Sequence, residues 1–145
     1  MAVNINGLIS KIDDVRKLLF DKDPRVGIML ETHLIEDDED VLFDVEGYNV
    51  VNCVSDSRHT GGILFYVRED VFHAEISVNV VQRKWWMMAM KVGKGQGRCA
   101  TIVGGYRSPS CSKKVFLREI EKWLGDNLNR FEGDLIVTGD FNIDW

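Results

Sequence analysis

The chain has 145 residues, 45% of them hydrophobic and 28% charged, with a formal charge of −5; this is the make-up of a globular domain and excludes a disordered or fibrous chain. A chain of this length fits one domain, able to bury roughly 68–70% of its unfolded surface. No apolar run approaches the ~20 residues that a membrane-spanning helix needs, and the surplus of acid counts against a binder that works by phosphate neutralisation alone.

In chain order, Val3-Asn4-Ile5 alternates as a short strand and meets the turn dipeptide Asn6-Gly7. Residues 8–22, LISKIDDVRKLLFDK, place apolar side chains at 8, 12, 15 and 19, the stripe of a helix with one wet face. Asp23-Pro24 stops it, because proline biases the preceding residue away from helix. Val26–Leu30 is a short continuous apolar run, which reads as a fully buried strand.

Residues 36–46, EDDEDVLFDVE, hold seven acids and no base. A solvated loop is the plain reading; a partner-binding or DNA-repelling feature is the other. The remainder of the chain is slightly basic, so one loop masks the charge of the body. Five further strands are predicted over 48–54, 62–68, 71–78, 85–92 and 98–107. Gly93–Gly97, GKGQG, reads as a hairpin loop, since its spacing matches neither glycine fingerprint for phosphate. Trp85 and Trp86 are adjacent, so they point to opposite faces of their strand; one is expected in the core and one at an interface. Ser108–Ser112 is a loop with hydroxyls suited to capping, and 113–131 carries a second amphipathic helix. Leu135–Thr138 reads as a final buried strand. The order is β-α-β-β-β-β-β-β-α-β, a single mixed α/β domain over residues 1–145. Cys53, Cys99 and Cys111 are odd in number and lack zinc spacing. With no basic-then-apolar leader at the N-terminus, reduced thiols and an intracellular setting, nuclear or cytoplasmic, are expected.

Four strands finish in polar residues: Asn4 and Asn6, Glu31, Tyr106 with Arg107, and Asp140 with Asn142. Gathered on one rim, they form two carboxylates, three amides and a phenol, a set of hard donors suited to Mg²⁺ or Mn²⁺ rather than zinc. Such an ion beside amide and phenol donors suits a phosphodiester site. Taken singly, each residue has a plainer reading: Asx turns for Asp140 and Asn142, a turn for Asn6-Gly7, and a surface acid for Glu31.

Four ordered stretches, VNINGL, LETHL, VGGYRSPS and VTGDFNID, with SRHTGGILFYVRE between them, resemble the motifs of the endonuclease/exonuclease/phosphatase superfamily. They are most similar to the apurinic-type endonuclease domain of non-LTR (LINE-like) retrotransposons. The resemblance spans nearly the whole chain. It implies a partial four-layer α/β sandwich with mixed, largely antiparallel sheets and two main helices. It also implies Mg²⁺-dependent (or Mn²⁺-dependent) DNA nicking.

By that resemblance Glu31 holds the metal with Asn6 near it, and Asn4 contacts phosphate or orients its neighbours. Tyr106 hydrogen-bonds the scissile phosphate. Asp140 aligns or deprotonates the attacking water or assists the leaving group, and Asn142 binds a phosphate oxygen. DNA-repair relatives carry aspartate where Asn6 stands, so the metal here has less charge around it.

The resemblance further implies a chain cut off after Gly-Asp-Phe-Asn, without the late strands and the Ser-Asp-His motif. His33, His59 and His73 all precede Asp140 and do not replace it. Weak or absent cutting is therefore expected, together with an exposed sheet face covered by a second copy or a protein partner. Two alternatives stand beside the enzyme fragment. One is a domesticated, non-catalytic interaction or dimerisation module. The other is DNA binding without cutting, through Arg58, Arg83, Lys84, Lys94, Arg98, Arg107, Lys113 and Lys114.

Overall fold

The alternation and apolar runs of the sequence fold into two four-stranded sheets. The computed structural model describes residues 1–93 and 97–143. The first sheet is built from β1 (Ala2–Asn4), β2 (Val26–Leu30), β3 (Tyr48–Cys53) and β4 (Ile63–Arg68), in the order β1-β2-β4-β3. The second is built from β5 (Phe72–Val81), β6 (Trp85–Gly93), β7 (Cys99–Arg107) and β8 (Asp134–Asp140), in chain order. Each sheet is antiparallel apart from one parallel pair, β1 with β2 and β7 with β8. Helix α1 (Ile12–Lys22) continues a 3₁₀ turn at Ile9–Lys11, and α2 (Lys113–Asn127) runs on into another at Leu128–Arg130.

The layering follows from which face each side chain takes. Ile28 and Leu30 of β2, Phe65 of β4, and Trp86, Met88 and Met90 of β6 fill one core between the two sheets. Their neighbours Met29, Leu64 and Tyr66 turn outward and pack with Val15 and Leu19 of α1. On the opposite outer face Trp85, Met87 and Val103 meet Phe116, Ile120 and Trp123 of α2. The result is a four-layer α/β/β/α sandwich, as the sequence suggests. Strands β4 and β6 are covered on both faces, which is why they read as unbroken apolar runs.

Local chemistry ends the helices. Asp23 takes a left-handed conformation at φ 40° and its N–H donates to Leu19 O, a single-residue C-terminal cap. Ser112 caps α2 by accepting from the Val115 N–H, so the Ser108–Ser112 hydroxyls do supply a cap. The acidic segment is not uniformly solvated. Phe43 is 1% exposed and plugs the α1 core, and the Asp38 side chain, only 6% exposed, pairs with Arg58.

Two expectations need correction. Trp85 and Trp86 do point to opposite faces, but both are buried, at 4% and 0% exposure, because this strand has a covering layer on each side. Trp85 lies against Phe116 of α2, and Trp86 sits between the sheets beside Tyr106. The second correction concerns β8. It is the edge strand of its sheet, and Leu135, Ile136 and Val137 are 44–47% exposed rather than buried. The expected hairpin loop at Gly93–Gly97 falls largely on residues 94–96, outside the described residues.

Gly61 and Gly62 make the sandwich possible beside Trp86. Both have φ near +80°, and a Cβ on Gly61 would lie 2.0 Å from the Trp86 ring. Gly61→Ala therefore combines a disfavoured backbone conformation with overpacking, costing about 1–3 kcal/mol or more. Urea denaturation is the check; wild-type stability would show that the indole moves aside freely.

Candidate active site

The polar strand ends meet on one rim of the sandwich. After β1 the chain stays laid along the end of β2: Ile5, Gly7 and Leu8 N–H groups donate to the carbonyls of Leu30, Glu31 and Thr32. That ladder holds Asn4, Asn6 and Glu31 side by side. On the second sheet Tyr106 is the direct cross-strand neighbour of Asp140.

A side-chain bond then joins the sheets. Asn4 Nδ2 donates to Asp140 Oδ2 at 2.9 Å across 136 residues of sequence. The other carboxylate oxygen, Oδ1, accepts the backbone N–H of Asn142 at 3.1 Å. Asn4 Oδ1 in turn accepts the N–H of Asn6. Both oxygens of Asp140 are thus directed by named donors, one from the first sheet and one from the loop that follows β8.

Tyr106 faces the first sheet. It is 1% exposed, and the Glu31 carboxylate lies near enough to act on its phenol. Burial first, then the Glu31 carboxylate, pushes its pKa well above the ordinary tyrosine range. Tyr106 therefore stays a neutral donor at any physiological pH. Its ring rests on Trp86 at a centroid distance of 5.9 Å, which fixes the direction in which the phenol points.

Backbone strain concentrates here. Among the described residues, six non-glycines have positive φ, and three of them are Asn6 (46°), Glu31 (55°) and Asn142 (49°). A fourth, His33 at 58°, lies two residues from Glu31. Left-handed geometry costs roughly 1–2 kcal/mol for an ordinary residue, least for asparagine. Glu31 lacks asparagine's tolerance of this region, so the packing around it imposes the conformation. Lys11 contributes to that packing, its Nζ donating to Ile5 O and Asn6 O.

His33 borders a neighbouring cavity of about 380 Å³ with Asn6, Gly7, Thr32 and Arg58. Burial first lowers its pKa, Glu31 opposes that, and His59 and Lys11 add to the lowering. Its buried Nε2 has no hydrogen-bond partner. His59 lies on an exposed loop.

Hydrogen bonds connect four of the six sequence candidates, Asn4, Asn6, Asp140 and Asn142, while Tyr106 lies beside Asp140 in register and Glu31 acts on the Tyr106 phenol. Asn142 departs from its expected role in one respect: a side-chain N–H is engaged with Arg107 O at 2.7 Å. Arg107 departs more. It was grouped with the phosphate-binding surface cations, yet it is 1% exposed and its guanidinium donates to backbone carbonyls. Arg58 is bound to Asp38 and Arg83 lies against Asp56, which further reduces the basic surface. Lys94 lies outside the described residues.

A divalent ion can be tested against this donor set. Among the described residues no group of three or more His, Cys, Asp or Glu side chains is placed to hold a metal. Glu31 and Asp140 both act on the Tyr106 phenol, and Mg²⁺ is typically held by one or two carboxylates, with waters and substrate phosphate completing its shell. The arrangement fits a loosely held, oxygen-bound ion and not a zinc site.

No protein-family model and no curated protein sequence matches the chain. Its fold does match solved structures of the endonuclease/exonuclease/phosphatase type. TDP2 from C. elegans superposes with a TM-score of 0.71 at 12% identity, over 99% of this chain and 47% of that one. An AP endonuclease from Archaeoglobus fulgidus gives 0.64 at 16% identity, over 98% and 56%. A 3′ phosphatase from Neisseria, bound to a product DNA hairpin, gives 0.63 at 19% identity, over 98% and 56%. At these identities the likeness is one of fold, and the chain spans about half the length of the proteins it matches.

Proposed function

We propose that the rim formed by Asn4, Asn6, Glu31, Tyr106, Asp140 and Asn142 is a phosphoester site for DNA, built for metal-assisted phosphodiester hydrolysis. The observation that carries this reading is the bridge between the sheets from Asn4 to Asp140, with the Tyr106 phenol beside the Glu31 carboxylate. Two like-charged carboxylates brought together from opposite sheets gain nothing from each other, but together they suit a divalent cation and, through it, a phosphate. The matched proteins include an AP endonuclease and a phosphatase bound to DNA product, which supports the same chemistry. The finer assignment, target-DNA nicking of the retrotransposon kind, rests on the four ordered motifs.

Glu31 is the metal anchor, with Asn6 beside it, and Mg²⁺ or Mn²⁺ would neutralise charge developing on the phosphate. Tyr106, kept protonated, donates toward a phosphate oxygen. Asp140 is held by Asn4 and the Asn142 N–H so that its carboxylate can orient a water for attack. Asn142 retains a side-chain oxygen and a second N–H for substrate. General acid–base help of this type contributes typically 10²–10⁴ in rate.

Retention of DNA is expected to depend on Mg²⁺ or Mn²⁺, to be abolished by EDTA and to fall about tenfold in Glu31→Ala, the equivalent of ~1.4 kcal/mol. Nicking that persists in Glu31→Ala, or DNA retention indifferent to both metal and Glu31, would contradict the assignment.

The bare edge of β8 favours a second reading, a protein-interaction role beside or instead of cutting. Leu135 to Val137 are exposed along an unpaired edge. Next to them Met1, Val26, Val92, Ala100, Ile102 and Ile136 line an apolar groove of about 720 Å³. Unpaired edges of this composition accept a further strand. Symmetric antiparallel pairing of two copies about Val137 would set Asp134 opposite Asp140, like charges facing each other. A strand from a different polypeptide segment therefore suits the edge better than a second copy. Light scattering with a hydrophobic dye is the check: the isolated chain should bind dye or associate, and a dye-silent monomer would remove this reading.

A further inference from the structure

We infer that Arg107 is a positioning residue that sets the Asp140 carboxylate by clamping the loop that follows β8. This inference rests on the phosphoester site proposed above. Arg107 ends β7 and is 1% exposed. Its Nε donates to Phe141 O at 2.5 Å, one Nη to Ser108 O at 3.2 Å and to Cys111 O, and the other Nη to Asn142 O. Four of the five guanidinium N–H donors thus reach backbone carbonyls of two loops, residues 108–111 and 141–142. No acid among the described residues forms an ion pair with it.

A buried cation with no carboxylate partner is costly, and an apolar side chain of similar volume would pack at less expense. What the guanidinium supplies that an apolar group cannot is a planar fork of donors, here matched to consecutive carbonyls. The return bond closes the unit: Asn142 Nδ2 donates to Arg107 O at 2.7 Å. Asn142 is held by both bonds in its left-handed conformation, φ 49°. In that conformation its N–H reaches Asp140 Oδ1 at 3.1 Å. Arg107 therefore acts on the carboxylate through one intervening residue. Asn4 fixes the other oxygen from the opposite sheet.

Lysine at this position keeps the charge but cannot fork to two loops at once. The test is a four-way comparison of metal-dependent DNA retention in the unaltered chain, Arg107→Lys, Asp140→Asn and the double variant. Each single change is expected to weaken retention about tenfold, and the double variant no more than either alone, since one acts through the other. Losses that multiply in the double variant would overturn the inference, as would an Arg107→Lys chain that behaves as the unaltered one while Asp140→Asn is weakened. If Asp140→Asn has no effect, the site itself is wrongly assigned and the inference falls with it. Should Arg107→Lys fail to fold, proton exchange in the unaltered protein decides. The Arg107 Nε–H should exchange at least about tenfold more slowly than that of the exposed Arg118, as expected for a buried, bonded donor. Exchange at the rate of Arg118 would overturn the clamp.

Discussion

A single side-chain hydrogen bond, Asn4 to Asp140 at 2.9 Å, ties the first strand of one sheet to the last strand of the other. It forms only if the two sheets stack in the observed order. It also requires β1 and β8 to leave the sandwich on the same side and the ladder from Ile5 to Leu8 to stay laid along β2. Almost every other feature of the rim follows from that meeting. Tyr106 sits opposite Asp140 in register with its phenol in the field of Glu31, while Trp86, buried beneath Gly61, supports the phenol from below.

The cost of this arrangement is visible in the backbone. Asn6, Glu31, His33 and Asn142 all adopt left-handed conformations within or beside the rim. In each case an adjoining contact offsets the strain: Lys11 on the Asn6 carbonyl, Gly7 and Gly61 along Glu31 and His33, and Arg107 on Asn142. Strain held by rigid surroundings is a common property of sites whose groups must already point the right way before substrate arrives. The sandwich supplies that rigidity because β4 and β6 are buried on both faces. The exposed β8 is the counterweight, a rigid strand whose outer edge has no partner among the described residues.

Much of this is legible in the chain itself. The element order, the helical stripes at Val15–Leu19 and Phe116–Trp123, and the clustering of polar residues at four strand ends all follow from periodicity and turn chemistry. Burial was harder to read where it depends on what lies on the far side of a strand. One of Trp85 and Trp86 was expected at an interface because nothing in the neighbourhood announces that α2 covers the Trp85 face. Leu135–Val137 has the composition of a central strand, and only sheet order reveals that it lies at an edge. Arg107 was misread for a similar reason: an arginine beside a tyrosine in a loop-bound motif resembles a surface cation. Two of the carbonyls that take its N–H donors come from Phe141 and Asn142, more than thirty residues away. The left-handed glutamate had no local signal at all.

Paramagnetic broadening by Mn²⁺ tests most directly whether strand tips from both sheets form one cation-binding, phosphate-facing rim. Titration of the isotopically labelled chain should broaden the resonances of Asn4, Glu31, Tyr106 and Asp140 together at low ion concentration, before those of the acidic residues 36–46. Broadening that begins in residues 36–46 and leaves the rim sharp, or that reaches only one sheet, would contradict the account.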